Sequence, residues 1–140
     1  MNKTGPIIVI EDDEDDIFIM KEVFKELNFD NEIIFLKNGK IAFNYLSQTE
    51  VVAFVIICDI NMPLMDGISL KKEIQKNQEL KLRCVPFLFF TTAANRQDVI
   101  DAYSSSAQGF FIKPNTVNKL KTILKKIIEY WQDCESPNHY

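Results

Sequence analysis

Five short apolar runs, at residues 7–10, 32–36, 53–58, 86–90 and 109–112, each break off at a polar step. Continuous apolar runs are the mark of strands covered on both faces of a parallel sheet, whereas half-exposed strands alternate. Between the runs the period lengthens to three or four. Ile17, Met20, Phe24 and Leu27 form one such stripe, and Ile41, Ala42, Tyr45 and Leu46 a second. Leu70 and Ile74 mark a helix over 67–77, and Val99, Ala102 and Tyr103 a shorter polar one over 95–105. Val117, Leu120, Leu124, Ile127 and Trp131 mark the last. Strands alternating with helices predict an α/β fold, a doubly wound parallel sheet with right-handed crossovers. Residues 1–6 read as a weakly ordered lead-in and 134–140 as a polar tail. No repeat or linker interrupts the pattern, so one domain over 1–140 is expected, with a core of about 7–131.

Composition narrows the chemistry. The chain has 140 residues, a net charge of −4 and 46% hydrophobic residues, which fits a soluble globular domain and argues against nonspecific nucleic-acid binding. No long apolar span or secretory signal is present. Cys58, Cys84 and Cys134 form no metal-spaced pair, and an odd count fits a reducing cytoplasm. Cys58 lies in an apolar run and reads as core. The only histidine, His139, lies in the tail, which excludes multi-histidine metal sites.

The chemistry is concentrated where the runs stop. The first strand ends on Glu11-Asp12, the third on Asp59, the fourth on Thr91-Thr92 and the fifth on Lys113-Pro114. In a doubly wound sheet these C-terminal strand ends share one edge, where such folds bind ligands. Taken alone, Asp59 reads as a turn or cap residue and Lys113 as a solvated lysine. The six acids 11–16 read as a solvated charge run, with Asp13 or a neighbour capping the first helix. Capping uses one or two carboxylates, which leaves Glu11 and Asp12 surplus to structure. Spacing back from Lys113 favours Thr91 over Thr92.

With these residues in place, the chain resembles the response-regulator receiver domains of two-component signalling, over about 7–131. The motifs are Glu11-Asp12, Asp59-Ile60-Asn61-Met62-Pro63 on to Asp66-Gly67, Thr91, and Lys113-Pro114. Single-domain members such as the chemotaxis regulator are most similar, since no room is left for an output domain. The resemblance implies a flavodoxin-like sheet in the order 2-1-3-4-5. It implies Asp59 as phosphoacceptor, Asp12 as a direct ligand of Mg²⁺ (Mn²⁺ also fits), and Glu11 acting through water. The Asn61 carbonyl is a further ligand, Thr91 the switch hydroxyl and Lys113 the contact to phosphoryl oxygens. Phe110 falls where an aromatic swings inward. A sensor histidine kinase or phosphotransfer protein is the implied donor. A downstream protein is the target, with no direct nucleic acid or membrane partner, and the chain is a monomer or a phosphorylation-dependent dimer. The contact face lies on the 95–105 helix, the Phe110 strand and the last helix, with Tyr103, Phe111 and Tyr130 as candidate contacts.

Three departures stand out. The first acid is Glu11 rather than Asp. Asn115 replaces an apolar or aromatic residue and is expected to cap the last helix. Ser104-Ser105-Ser106-Ala107 stands where many members have a glycine-containing loop. Two rivals remain: a receiver-like binding module that works without phosphorylation, and an aspartate-nucleophile phosphohydrolase. The second needs an acid two residues beyond its nucleophile, where this chain has Asn61, and usually a cap domain. The expectation is therefore a switch with self-catalysed phosphoryl transfer and autodephosphorylation, not an enzyme turning over a metabolite.

Overall fold

The computed structural model describes residues 2–48, 50, 52–77, 85–92 and 95–135. Five strands form one sheet: β1 (Ile7–Ile10), β2 (Ile33–Leu36), β3 (Val55–Cys58), β4 (Phe87–Thr91) and β5 (Gly109–Ile112). All pairings are parallel and the order is β2-β1-β3-β4-β5. Five helices accompany them: α1 (Glu14–Leu27), α2 (Gly39–Gln48), α3 (Gly67–Lys76), α4 (Arg96–Ser104) and α5 (Val117–Asp133).

The continuous apolar runs have a simple cause, because successive strand residues feed two different cores. Ile8, Ile10, Ile56, Cys58, Phe87 and Phe89 meet Ala42, Leu46, Leu70, Ile74 and Ala102 of α2, α3 and α4. Ile7, Val9, Val55, Ile57, Leu88 and Phe90 meet Met20, Val23 and Phe24 of α1 and Leu120, Leu124, Ile127 and Ile128 of α5.

Local chemistry sets the helix starts. Asp13 caps α1, accepting from the N–H groups of Asp15 and Asp16, and Asp66 caps α3 through Ser69 N–H. Asn95 and Asp98 form a reciprocal capping box on α4.

Several expectations change. The fourth strand is shifted by one residue, so that Thr91 is its last member. Thr116, not Asn115, caps α5, accepting from Lys119 N–H at 3.2 Å. Val117 lies on the exposed side of the first turn, and Ile128 joins the buried stripe instead. The lead-in is tied down: Asn31 donates to the carbonyls of Lys3 and Gly5, and Asn2 donates to Val52. Ser106 takes a left-handed conformation, φ 66°, a backbone state that favours glycine, so serine stands at this position under strain. Cys84, His139 and the rest of the tail beyond residue 135 lie outside the described residues. Among the described residues, no helix is long and apolar enough to cross a membrane.

Candidate functional site

The sheet ladder itself positions the functional residues. Glu11 N–H donates to the carbonyl of Leu36, Asp59 N–H to that of Ile10, and Lys113 N–H to that of Thr91. Each therefore occupies the first position beyond its strand, held on the C-terminal rim by a backbone bond. Ile10 pairs with Cys58 in the parallel register, so Glu11 and Asp59 stand level on neighbouring strands. Thr91 pairs with Ile112, one step before Lys113.

Glu11 and Asp59 are nearly enclosed, at 2% and 8% exposure. One carboxylate oxygen from each of Glu11, Asp12 and Asp59 lies within 4.8 Å of the others, the only such group among the described residues. Three like charges so close repel, and an oxygen-only set of this kind suits a hard divalent cation. Asn61 follows Asp59 by two residues in an exposed turn. The buried Thr91 closes β4, while Thr92 is exposed beyond it.

Among the described residues, one ammonium faces the carboxylates. Lys113 Nζ contacts Glu11 Oε2, lies 2.8 Å from Asp16 Oδ2 and 3.4 Å from Asp59 Oδ2. The other Asp59 oxygen, Oδ1, accepts from Ile60 N–H at 2.7 Å, and Glu11 Oε1 accepts from Asp13 N–H at 3.1 Å. Burial lowers the lysine's proton affinity, but hydrogen bonds to Asp16 and Glu11 and the surrounding negative charge outweigh it, so its pKa is raised. Burial, with the charge of Asp59 added, raises Glu11 from 4.5 to about 7 despite the pull of Lys113. Burial also pushes the Cys58 thiol well up, helped by the charges of Asp59, Glu11 and Asp66. Its Sγ–H donates to the Asp59 carbonyl at 3.0 Å, so it is a core thiol and no nucleophile.

Two glycines fix the loop beyond Asp59. A Cβ on Gly67 would lie 2.1 Å from the Asp59 carbonyl oxygen, and one on Gly39 would lie 2.4 Å from that of Met65. Leu64, 81% exposed, turns the loop with φ 70°. Gly67 thus does more than punctuate a helix start, because it lets α3 begin against the backbone of Asp59.

The structure brings Glu11, Asp12, Asp59 and Lys113 together and ties Thr91 to Lys113 through the backbone. Phe110 is half-buried beside Phe89, ring centroids 6.2 Å apart. Tyr103 and Tyr130 are exposed, while Phe111 is partly covered against α5. Sequence reasoning missed Asp16, which it left in the charge run; a position four residues beyond Asp12, in the first turn of α1, was the available signal.

Residues 7–125 match the sequence profile described as the response regulator receiver domain. The chain is 31% identical to chemotaxis protein CheY-3 of Vibrio cholerae over 92% of this chain and 95% of that protein. It is 29% identical to response regulator Rcp1 of Synechocystis over 93% and 90% of the two chains. Among solved structures, the phosphorylated cyanobacterial phytochrome response regulator RcpA superposes with a TM-score of 0.84 at 25% identity, covering 95% of this chain and 96% of that one. The Mn²⁺-bound form of Rcp1 gives 0.80 at 28% identity, covering 95% and 97%.

Proposed function

The chain belongs to the response regulator receiver domain family, and from that premise we propose that it acts as a stand-alone phosphorylation switch, one receiver unit over 1–140 with Asp59 as phosphoacceptor. The observation that carries this reading is the convergence of Asp59, Glu11, Asp12 and Lys113 on one strand-end rim. Relatives of similar length support the stand-alone form.

The donor is a phosphohistidine on a sensor histidine kinase or phosphotransfer protein. An Asp59 carboxylate oxygen forms a bond to phosphorus as the phosphorus–nitrogen bond breaks, and the electron pair leaves with the imidazole. Glu11, Asp12 and Asp59, with the Asn61 carbonyl, would hold Mg²⁺ or Mn²⁺ as an oxygen donor set, Asp12 as a direct donor and Glu11 through a water. When bound, that ion supplies positive charge against the carboxylates and the phosphoryl oxygens. Lys113 presents an ammonium to the same oxygens from the β5 side. The Thr91 hydroxyl follows the phosphoryl group, and Phe110 takes up the space its loop vacates, a local event that biases a two-state surface. Water later cleaves the acyl phosphate and returns Asp59 to a carboxylate. The output is a protein contact in the cytoplasm on the face formed by α4, β5 and α5, where Tyr103 and Tyr130 are exposed. The protein acts as a monomer or a phosphorylation-dependent dimer.

Intact-protein mass after incubation with a small acyl phosphate, with and without Mg²⁺, tests the reading on wild type and Asp59→Asn. One phosphoryl adduct that requires Mg²⁺ and is absent from the variant supports it. No adduct from that donor or from a panel of histidine kinases and phosphotransfer proteins, together with no Mg²⁺ binding, leaves a module that binds without phosphorylation.

A further inference from the structure

We infer that Asp16 is a positioning residue for Lys113: it draws the ammonium toward α1, off the phosphoacceptor, and so sets the rate of phosphoryl transfer through the lysine. The inference rests on Asp59 as the phosphoacceptor.

An ammonium has three protons, and here three carboxylates share them. The contacts are unequal. Asp16 Oδ2 lies at 2.8 Å, well inside hydrogen-bond range, whereas Asp59 Oδ2 lies at 3.4 Å, at its limit. Asp16 stands outside the trio of Glu11, Asp12 and Asp59, and its side-chain contact at the site is with the lysine. The backbone of Asp16 is itself anchored, since its N–H is bound to Asp13 Oδ1 in the first turn of α1. Its side chain is one-third exposed and that of Lys113 one-tenth. The pair borders a cleft of about 90 Å³ lined also by Ile19, Pro114 and Val117.

The chemical consequence concerns the nucleophile. A lysine resting fully on Asp59 would neutralise the attacking oxygen and would have to be displaced before phosphorus approached. Asp16 and Glu11 together take two of the ammonium's protons, which leaves the third directed toward Asp59 and free for a phosphoryl oxygen. Without Asp16, the ammonium settles on Asp59. Charge alone would act in the opposite direction, since removing a carboxylate eases the approach of an anionic donor. The two accounts therefore differ in sign.

The test is a double-mutant cycle on the rate of phosphorylation by acetyl phosphate at saturating Mg²⁺. It uses wild type, Asp16→Ala, Asp16→Asn, Lys113→Ala and the Asp16→Ala/Lys113→Ala pair. Asp15→Asn serves as control, because Asp15 is a neighbouring exposed first-turn acid outside the Lys113 contacts. The expected result is a slowing of about fivefold for Asp16→Ala, equivalent to about 1 kcal/mol. Asp16→Asn, which keeps an acceptor oxygen, recovers part of the loss, Asp15→Asn does not slow, and the Asp16 effect vanishes on a Lys113→Ala background. An Asp16→Ala effect that persists without Lys113, or a rate that rises or stays unchanged, overturns the inference. The ¹⁵N resonance of the Lys113 ammonium in the unphosphorylated protein separates the two readings. If wild type accepts no phosphoryl group yet that slowly exchanging signal is lost in Asp16→Ala, the pairing stands and the phosphoacceptor reading fails. Where the signal is unchanged in Asp16→Ala, the positioning role fails.

Discussion

Replacing Gly67 with alanine tests how tightly the fold and the site are joined. The added Cβ would meet the Asp59 carbonyl oxygen at 2.1 Å, the Asp59 carbonyl carbon at 3.0 Å and the Ile60 Cα at 3.1 Å. All three are backbone atoms, so no side-chain rotation relieves the clash. Reaching ordinary van der Waals separation requires a shift of about 1 Å. Either the start of α3 moves outward, which stretches the 2.8 Å bond from Gly67 N–H to the Ile60 carbonyl, or the Asp59 peptide moves. The second route disturbs the thiol of Cys58, bonded to that carbonyl at 3.0 Å, and the Ile60 N–H on Asp59 Oδ1. Overpacking of this kind costs about 1–3 kcal/mol, offset by at most about 1 kcal/mol for alanine's better helix propensity. The net loss of about 1–2 kcal/mol lowers the melting temperature by about 4–8 °C for a domain of this size. Thermal unfolding followed by circular dichroism measures the shift, and acyl-phosphate labelling measures the accompanying loss of rate. Gly39→Ala is the internal comparison: its Cβ meets the Met65 carbonyl oxygen at 2.4 Å, six residues along the same loop and not against the Asp59 peptide itself, so it destabilises with a smaller loss of transfer rate. A Gly67→Ala protein with unchanged melting temperature and unchanged labelling rate would refute the reasoning.

Two further outcomes follow from backbone and charge. Burial and the charge of Asp59 raise the Glu11 carboxyl to about 7 from 4.5, so the folded, metal-free protein retains a proton that the unfolded chain releases. That stabilisation is complete below pH 4.5 and is lost as pH rises through about 7. In a chelator, the melting temperature of wild type relative to Glu11→Gln falls between about pH 5 and about pH 8, and a flat difference across that window contradicts the burial argument. Leu64 and Ser106 hold φ of 70° and 66°, a conformation costing about 1–2 kcal/mol for side-chain-bearing residues. Glycine at either position raises the melting temperature by about 1–3 °C after its own entropy loss; a lower value would show that side-chain contacts outweigh the strain.

Much of the site was legible because a parallel sheet converts sequence into position. A strand buried on both faces tolerates no acid within it, so Glu11 and Asp59 mark the strand ends without any tertiary knowledge. The alternation of elements then places those ends on one edge. Asp16 was not legible for a definite reason. Six consecutive acids are chemically alike, and which of them faces Lys113 depends on the rotation of α1 about its axis against the sheet. Periodicity fixed that rotation only through Ile17, Met20 and Phe24, and the partner lysine lies 97 residues away. The capping of α5 is a similar case: Asn115 and Thr116 both cap well, and the helix starts one residue later than expected, with Thr116 in extended conformation accepting from Lys119 N–H. Val117 was misplaced because a first-turn residue can satisfy the helical period while still lying beyond the edge of the core. The tethered lead-in depended on Asn31, whose amide reaches Lys3 and Gly5 across 28 and 26 residues, a long-range contact that local patterning does not encode.

The sheet order gives Lys113 a role beyond charge. With the strands arranged β2-β1-β3-β4-β5, β5 is three places from β1, about 14 Å across the sheet at ordinary strand spacing. Yet the ammonium that starts on β5 touches Glu11, beyond β1, and Asp16 on α1, and passes Asp59 beyond β3 between them. One side chain thus links the outer strand to the opposite half of the molecule, over the residue proposed to be modified. A phosphoryl group on Asp59 adds acceptor oxygens at the midpoint of that link and competes with Glu11 and Asp16 for the same three protons. The change felt at β5 is then a redistribution of one ammonium's bonds, transmitted through the 2.7 Å backbone bond from Lys113 to Thr91. On the proposed reading, that redistribution gives a modification just beyond β3 a route to the face carried by β5, α4 and α5, alongside the movement of Thr91 and Phe110.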